Sequence, residues 1–138
     1  MRYLIDTNIL IFLLIDNGFI DRNVKYILSD YNNDVYVSSS SIFEIVHLFQ
    51  NNRISVKIKT AKELLTTIEK EFNLKVIHTK KEHFETFAKL PMIKGHNDPI
   101  DRIIISQSIT EKIPLISSDG KFKEYKNLDF IYNDKKAR

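Results

Sequence analysis

The stretch Arg2-Tyr3-Leu4-Ile5-Asp6-Thr7-Asn8 decides the fold. Three apolar residues run directly into an aspartate, a small hydroxyl and an amide, and a second apolar block, Ile9 to Ile15, follows. A strand buried on both faces of a parallel sheet is continuously apolar, so the pattern predicts a short buried strand, a polar turn and a helix. Open α/β sheets carry their sites beyond the carboxyl ends of such strands. Asp6 is therefore expected at the mouth of a site.

The same order of strand, hydroxyl and aspartate returns near the other end, where Pro114-Leu115-Ile116-Ser117 leads into Ser118-Asp119-Gly120. Between the two, helices and strands alternate. Asp21 can cap a helix whose Val24, Ile27 and Leu28 form an i, i+3, i+4 face, and Val35-Tyr36-Val37 is a strand. Ser38 to Ser41 are N-cap candidates for a helix with Ile42, Ile45, Val46 and Phe49 on one side; Ser41-Ile42-Phe43-Glu44 has the capping-box form, which puts Glu44 in a first turn. Ala61, Leu64, Leu65, Ile68 and Phe72 mark a further helix, and Leu74 to Ile77 a strand. Thr79-Lys80-Lys81-Glu82 also has the capping-box form and opens a helix carrying Phe84, Phe87 and Ala88. Asn97-Asp98-Pro99-Ile100-Asp101 is the sharpest helix start, with Asp98 as N-cap, Pro99 at the first helical position and Asp101 at the third. Lys112 closes that helix, and Leu128 to Tyr132 gives a last strand. Alternating strands and helices imply right-handed crossovers and a five-stranded parallel sheet covered on both faces.

Ile9 to Ile15 is apolar on every face of its helix, whereas a surface helix shows one stripe. The sheet can bury one side, and a second helix, another subunit or a partner peptide must cover the other.

The length of 138 residues fits one domain, assigned here to residues 1–132, with a basic tail at 133–138. The absence of cysteine excludes disulfides, thiolate nucleophiles and Cys-based zinc sites, so any metal must use oxygen or imidazole. A net charge of +3 suits a polyanionic partner. No apolar run approaches the ~20 residues of a membrane span, and a cytoplasmic location is expected.

Asp6 and Asp119 each follow a strand and should project from the same edge of the sheet, while Asp101 and Glu44 begin helices that lead to that edge. Converging carboxylates without a counter-charge raise one another's pKa values, and a bound cation removes that cost. Mg²⁺ or Mn²⁺ fits such an oxygen set; either would activate water and offset charge on a phosphate in flight. Asp98 is read first as a helix cap, and for Asp6, Glu44, Asp101 and Asp119 turn or cap roles stand beside the metal role. His47, His78, His83 and His96 show no metal-ligand spacing and are read as structural or surface residues, with His96 the one near these acids. Lys94, Arg102, Lys121, Lys123 and Lys126 surround the last two acids in sequence and could engage phosphates.

Leu4-Ile5-Asp6-Thr7-Asn8, Ser40-Ser41-Ile42-Phe43-Glu44, His96-Asn97-Asp98-Pro99-Ile100-Asp101-Arg102 and Ser117-Ser118-Asp119, in this order, resemble the PIN domain, and within it the VapC-like ribonuclease toxins of toxin-antitoxin modules. The resemblance spans Arg2 to about Tyr132. It implies a three-layer α/β/α fold with sheet order 3-2-1-4-5 and a site between the first and fourth strands. It also implies an endoribonuclease dependent on Mg²⁺ or Mn²⁺, a homodimer, and a cognate antitoxin as partner. Carried over, Asp6, Glu44, Asp101 and Asp119 would be the acidic catalytic and metal-binding residues. Thr7, Asn8 and Ser118 would orient them, and Asp98 and Arg102 would be accessory. Ile100 stands where the family commonly has an aromatic. Two rival readings remain: an aspartyl-phosphate phosphatase, for which Asn8 stands where a second aspartate is needed, and a PIN-like binding module without catalysis.

Overall fold

The computed structural model describes residues 1–136; Ala137 and Arg138, the end of the expected basic tail, lie outside the described residues. The chain builds β1 (Arg2–Ile5), α1 (Thr7–Ile15), α2 (Arg22–Ser29), β2 (Asp34–Ser38), α3 (Ser39–Gln50), α4 (Ala61–Thr66), β3 (Lys75–Ile77), α5 (Lys81–Lys89), α6 (Pro99–Glu111), β4 (Leu115–Ser117) and β5 (Phe130–Tyr132). A π turn, Thr67–Glu71, prolongs α4, and short 3₁₀ turns occupy Asn17–Phe19 and Gly120–Glu124. The strands form one sheet in the order β3-β2-β1-β4-β5, every pair parallel. This is the α/β class and strand order expected from the sequence.

The pleat sorts residues into two cores. Tyr3 and Ile5 of β1, Val35 and Val37 of β2 and Ile116 of β4 face one way, against Ile9 and Leu10 of α1, Val24 of α2, Ile45 of α3 and Leu64 of α4. Leu4 and Leu115 face the other way, against Ile104 and Ile105 of α6 and Phe122, with Phe87 and Leu90 of and beyond α5 packed alongside. Alternate residues of one apolar run thus feed opposite layers, which is why β1 has no polar face. Three layers, helices on sheet on helices, result.

Three local expectations are corrected. The side chain of Ser38, not Ser41, caps α3 by accepting from Ser40 N at 3.1 Å. The helix starts directly at the strand end, so Glu44 is its sixth residue and takes no part in a capping box. In α5 the N-cap is Lys80 rather than Thr79, and its N–H is taken by the His83 imidazole Nδ1 at 2.9 Å. His83 is then fully buried against Glu111, at 2.9 Å, while Phe84 is exposed. The inward face of α5 is turned from the one the apolar residues suggested, because the imidazole satisfies two polar groups that no phenylalanine could. The face of α1 away from the sheet keeps Ile15 exposed, with Ile11, Phe12, Leu13 and Leu14 half-buried. Neighbouring helices cover that face only in part.

Packing continues past Tyr132. Asn133, the first residue assigned to the tail, is completely buried: its backbone N–H donates to Ser117 O at 2.8 Å, its amide donates to Phe19 O at 2.9 Å and Ser118 Oγ at 2.6 Å, and its Oδ1 accepts from Asp21 N at 2.8 Å. One side chain therefore ties the start of α2 to the end of β4. Asn133→Ala should lower the urea-unfolding free energy by roughly 2–4 kcal/mol, since it strands the buried Asp21 N–H as well as deleting bonds. An unchanged urea midpoint would show that this clasp contributes nothing.

Candidate active site

The sheet order reverses its direction of growth at β1, which has β2 on one side and β4 on the other. At such a point adjacent connections leave in opposite directions and open a crevice at the carboxyl edge. The register pairs Ile5 with Ile116, so Asp6 is level with Ser117. Asp6 N-caps α1 and is 2% exposed; its Oδ1 accepts from Thr7 N at 2.8 Å and its Oδ2 from Ser117 Oγ at 2.7 Å. Both carboxylate oxygens are thus fixed by donors at the positive end of a helix.

Ser117 is a junction. Its Oγ also accepts from Asn8 Nδ2 at 3.2 Å and from Asp119 N at 3.0 Å. Asn8 Oδ1 accepts from Ser118 N at 3.2 Å, so this one amide clamps the loop carrying Asp119. The Asp119 carboxylate caps the turn behind it by accepting from Lys121 N at 2.9 Å. Thr7 Oγ1 donates to Ser41 Oγ at 2.9 Å and pins α3 to α1. Glu44, three residues beyond Ser41, lies on the same side of α3 and reaches the crevice from there.

At the start of α6, Asp98 is committed to capping: its Oδ1 accepts from Ile100 N at 2.8 Å and Asp101 N at 3.4 Å. Asp101 has no such duty and enters the crevice. The resulting cleft, about 200 Å³, is lined by Asp6, Thr7, Asn8, Ile11, Glu44, Leu48, Asp101 and Asp119. A larger cavity of about 610 Å³ lies beside Leu90, Ile109 and Tyr125, but among the described residues Glu124 is the only acid lining it. Donor chemistry, not volume, makes the smaller cleft the candidate site.

Burial pushes the Asp101 carboxyl from its ordinary 3.8 to about 8, and the charges of Asp6, Asp98, Asp119 and Glu44 add to the rise. Burial likewise raises Asp6 to about 6, against the lowering effect of its Ser117 and Thr7 bonds, with Glu44 and Asp119 adding to the rise. The acids are crowded enough to resist ionising together. A divalent cation would supply the missing counter-charge, and an all-oxygen set suits a hard ion such as Mg²⁺ or Mn²⁺. The donor set therefore fits such an ion, with Asp6, Glu44, Asp101 and Asp119 as the residues that could hold it.

Sequence reasoning placed these four acids, Thr7 and Asn8 together, and the fold brings them together. Ser118 lies at the site, but its side chain faces Asn133, so it contributes through its backbone N–H. Arg102 points away from the acids: it is 6% exposed, donates to Pro91 O at 3.0 Å and Tyr125 Oη at 3.2 Å, and lies 5.5 Å from the Phe87 ring centre. Lys121 meets Gly95 O at 3.0 Å, where Gly95 has φ +79, a backbone conformation that a side chain would strain. Two residues were missed. Ser117 ends β4 two residues before Asp119, and only the register of β1 against β4 puts it level with Asp6. Tyr125 gave no local signal; it bonds His96 Nδ1 at 2.7 Å from 29 residues away. His96, the histidine noted near the acids, is buried with its Nε2 3.4 Å from Asp101 and 3.5 Å from Asp119. One ligand atom from each of these three residues lies within 4.8 Å of the others. Burial lowers its imidazole below the ordinary 6.5, against the Asp119 charge.

A family model for the PIN domain matches residues 3–128. No curated protein matches the sequence. Among solved structures, VapBC2 from Rickettsia felis, bound to a DNA fragment from its promoter, shows 20% identity and a TM-score of 0.72 over 97% of this chain and 100% of that one. VapBC-1 from nontypeable Haemophilus influenzae shows 16% identity and a TM-score of 0.68 over 96% and 98%. VapBC-5 from Mycobacterium tuberculosis, a member of the VapBC family of toxin-antitoxin systems, shows 15% identity and a TM-score of 0.61 over 95% and 98%. At these identities the likeness is one of fold.

Proposed function

This chain belongs to the PIN-domain family, and from that premise we propose that it is a divalent-metal-dependent endoribonuclease, the toxin of a toxin-antitoxin pair. The observation that carries the reading is the cleft itself, where Asp6, Glu44, Asp101 and Asp119 arrive from four separate elements with two carboxyls pushed far above their ordinary range. Such crowding is costly unless it serves a bound cation. When bound, Mg²⁺ or Mn²⁺ would offset the carboxylate charge and that of the phosphodiester under attack.

The chain's own residues divide the remaining work. Asp6 is immobilised through both oxygens and provides the fixed reference of the site. Asp101 projects from a helix start whose cap is filled by Asp98, so its carboxylate is free for the site. Asp119, the more open of the two later acids at 34% side-chain exposure against 25%, would orient an attacking water and take its proton. Lys121 can meet a phosphate.

The partner surface is read from α1. Its half-buried apolar side and exposed Ile15 suit the apolar segment of an antitoxin, and one structural relative, VapBC-5, is named as a member of a family of toxin-antitoxin systems. A second copy of the chain is proposed as well, tested by light scattering. Among the described residues, no helix is long and apolar enough to cross a membrane. The phosphatase reading is disfavoured because Asn8 is spent on clamping Ser117 and Ser118. A catalytically silent module is disfavoured because all four acids reach one cleft.

Purified protein incubated with a mixed RNA substrate should cleave it in Mn²⁺ or Mg²⁺, lose cleavage in EDTA and regain it on adding back the ion. Cleavage that persists in EDTA would sink the metal-dependent reading. Covalent labelling of Asp6 by a phosphate analogue would instead favour the phosphatase.

A further inference from the structure

His96 is 4% exposed and its Nε2 has no hydrogen-bond partner among the described residues, although such atoms are rarely left unmatched in a buried place. That atom looks into the gap between Asp101 Oδ2, at 3.4 Å, and Asp119 Oδ2, at 3.5 Å. The other side of the ring is fixed. Tyr125, itself buried, has its hydroxyl 2.7 Å from His96 Nδ1, and Arg102 donates to the same hydroxyl oxygen at 3.2 Å.

A guanidinium can only donate, so the phenol oxygen accepts from Arg102, and the phenol hydrogen needs an acceptor of its own. Among the described residues His96 Nδ1 is the acceptor within reach. Accepting there leaves the neutral ring's proton on Nε2, aimed at the two carboxylates. The edge-on contacts with Phe122 and Tyr125, at centroid distances of 5.1 and 5.4 Å, leave the ring little freedom to turn.

We propose that His96 is a positioning residue for the acidic site, presenting Nε2–H between Asp101 and Asp119 and so setting the spacing at which both engage a divalent cation. Resting on the nuclease reading above, it adds a chain Arg102, Tyr125, His96 that reaches the acids from inside the fold. Residues that orient metal-binding groups in this way cost about 10–100-fold in metal affinity or activity when removed.

Two measurements test this. Nitrogen-15 NMR of the metal-free protein should show the His96 proton on Nε2; a proton on Nδ1 would overturn the proposal. Calorimetric titration with Mn²⁺ alone should then give a ~10–100-fold weaker affinity for His96→Leu, and a loss below ~3-fold for His96→Gln, whose amide N–H can replace Nε2–H. Equal losses in both variants would make His96 a ligand, and equal retention would make it packing only; either result overturns the positioning role. Tyr125→Phe is the second variant should the leucine fail to fold: it should shift the proton towards Nδ1 and weaken Mn²⁺ binding, and unchanged values would overturn the relay. A wild-type protein that shows Nε2–H but binds no Mn²⁺ overturns the nuclease reading together with the positioning role, whereas the other contrary results overturn the positioning role alone.

Discussion

Asp101→Asn should reduce kcat/KM for RNA cleavage by about 10²–10³-fold, the scale of losing one group that supports charge in the transition state, and at the same time make the metal-free protein more stable. The two effects share a cause. Burial, reinforced by the charges of four nearby acids, raises the Asp101 carboxyl to about 8, so at pH 8 its charge is a burden on the fold. A neutral amide of the same shape removes the burden and the cation-binding oxygen together. Asp6→Asn should be as damaging to cleavage but should bring less gain in stability. Both Asp6 oxygens accept hydrogen bonds, from Thr7 N and Ser117 Oγ, and Ser117 Oγ already accepts two others. An amide NH₂ placed at either position meets a donor, and the lost bond offsets the relief of burying no charge. Thermal melting with and without EDTA, run beside the cleavage assay, separates these outcomes. An Asp101→Asn protein that cleaves at the wild-type rate would remove Asp101 from the mechanism.

The second large effect is a dependence of stability on pH that a cation should reverse. Asp101 is raised in the folded chain, so between its ordinary value of 3.8 and about 8 the folded state holds a proton that the unfolded state gives up. Stability therefore falls as pH rises through this window, opposite to the usual carboxylate behaviour. His96 has the contrary sign, since its lowered pKa costs stability as pH falls below the ordinary 6.5. The unfolded ring is half protonated at pH 6.5 and loses that proton as pH rises towards 8, so it offsets a small part of the Asp101 loss. Asp6, at about 6, is already mostly ionised at pH 6.5 and adds little. From pH 6.5 to 8 the metal-free protein should thus lose about 1–2 kcal/mol, bounded by one proton at 1.36 kcal/mol per pH unit. Mg²⁺ or Mn²⁺ at one fixed concentration, 100 times its dissociation constant at pH 8, should restore about 2.7 kcal/mol there and less at pH 6.5, where the Asp101 proton competes with the ion. Equal shifts at both pH values, or none, would mean that the acids do not share a cation.

Local chemistry made much of this molecule legible. Tyr3, Leu4 and Ile5 announce a doubly buried strand because both faces of a central parallel strand must be apolar. Asp98-Pro99 announces a helix start because proline lacks the N–H that a first turn cannot use and aspartate accepts those that remain. These signals reach no further than a turn or a pleat. Glu44 shows the limit: the serine run offered four caps, and only the direct passage from β2 into α3 selected Ser38 and set Glu44 in the second turn, facing the cleft. In α5 the apolar residues suggested one face, and a buried imidazole with two polar partners chose another.

By itself, then, the sequence determined an α/β chain with five strands, the place of Asp6 and Asp119 after strands, and the place of Asp101 at a helix start, because strand burial and helix capping are satisfied within a few residues. Tertiary structure decided which neighbours make those acids a site. Ser117 meets Asp6 across 111 positions through strand register, Tyr125 meets His96 across 29, and Asn133 meets Asp21 across 112. Such contacts follow from the packing of separate elements, and no periodicity or spacing along the chain encodes them.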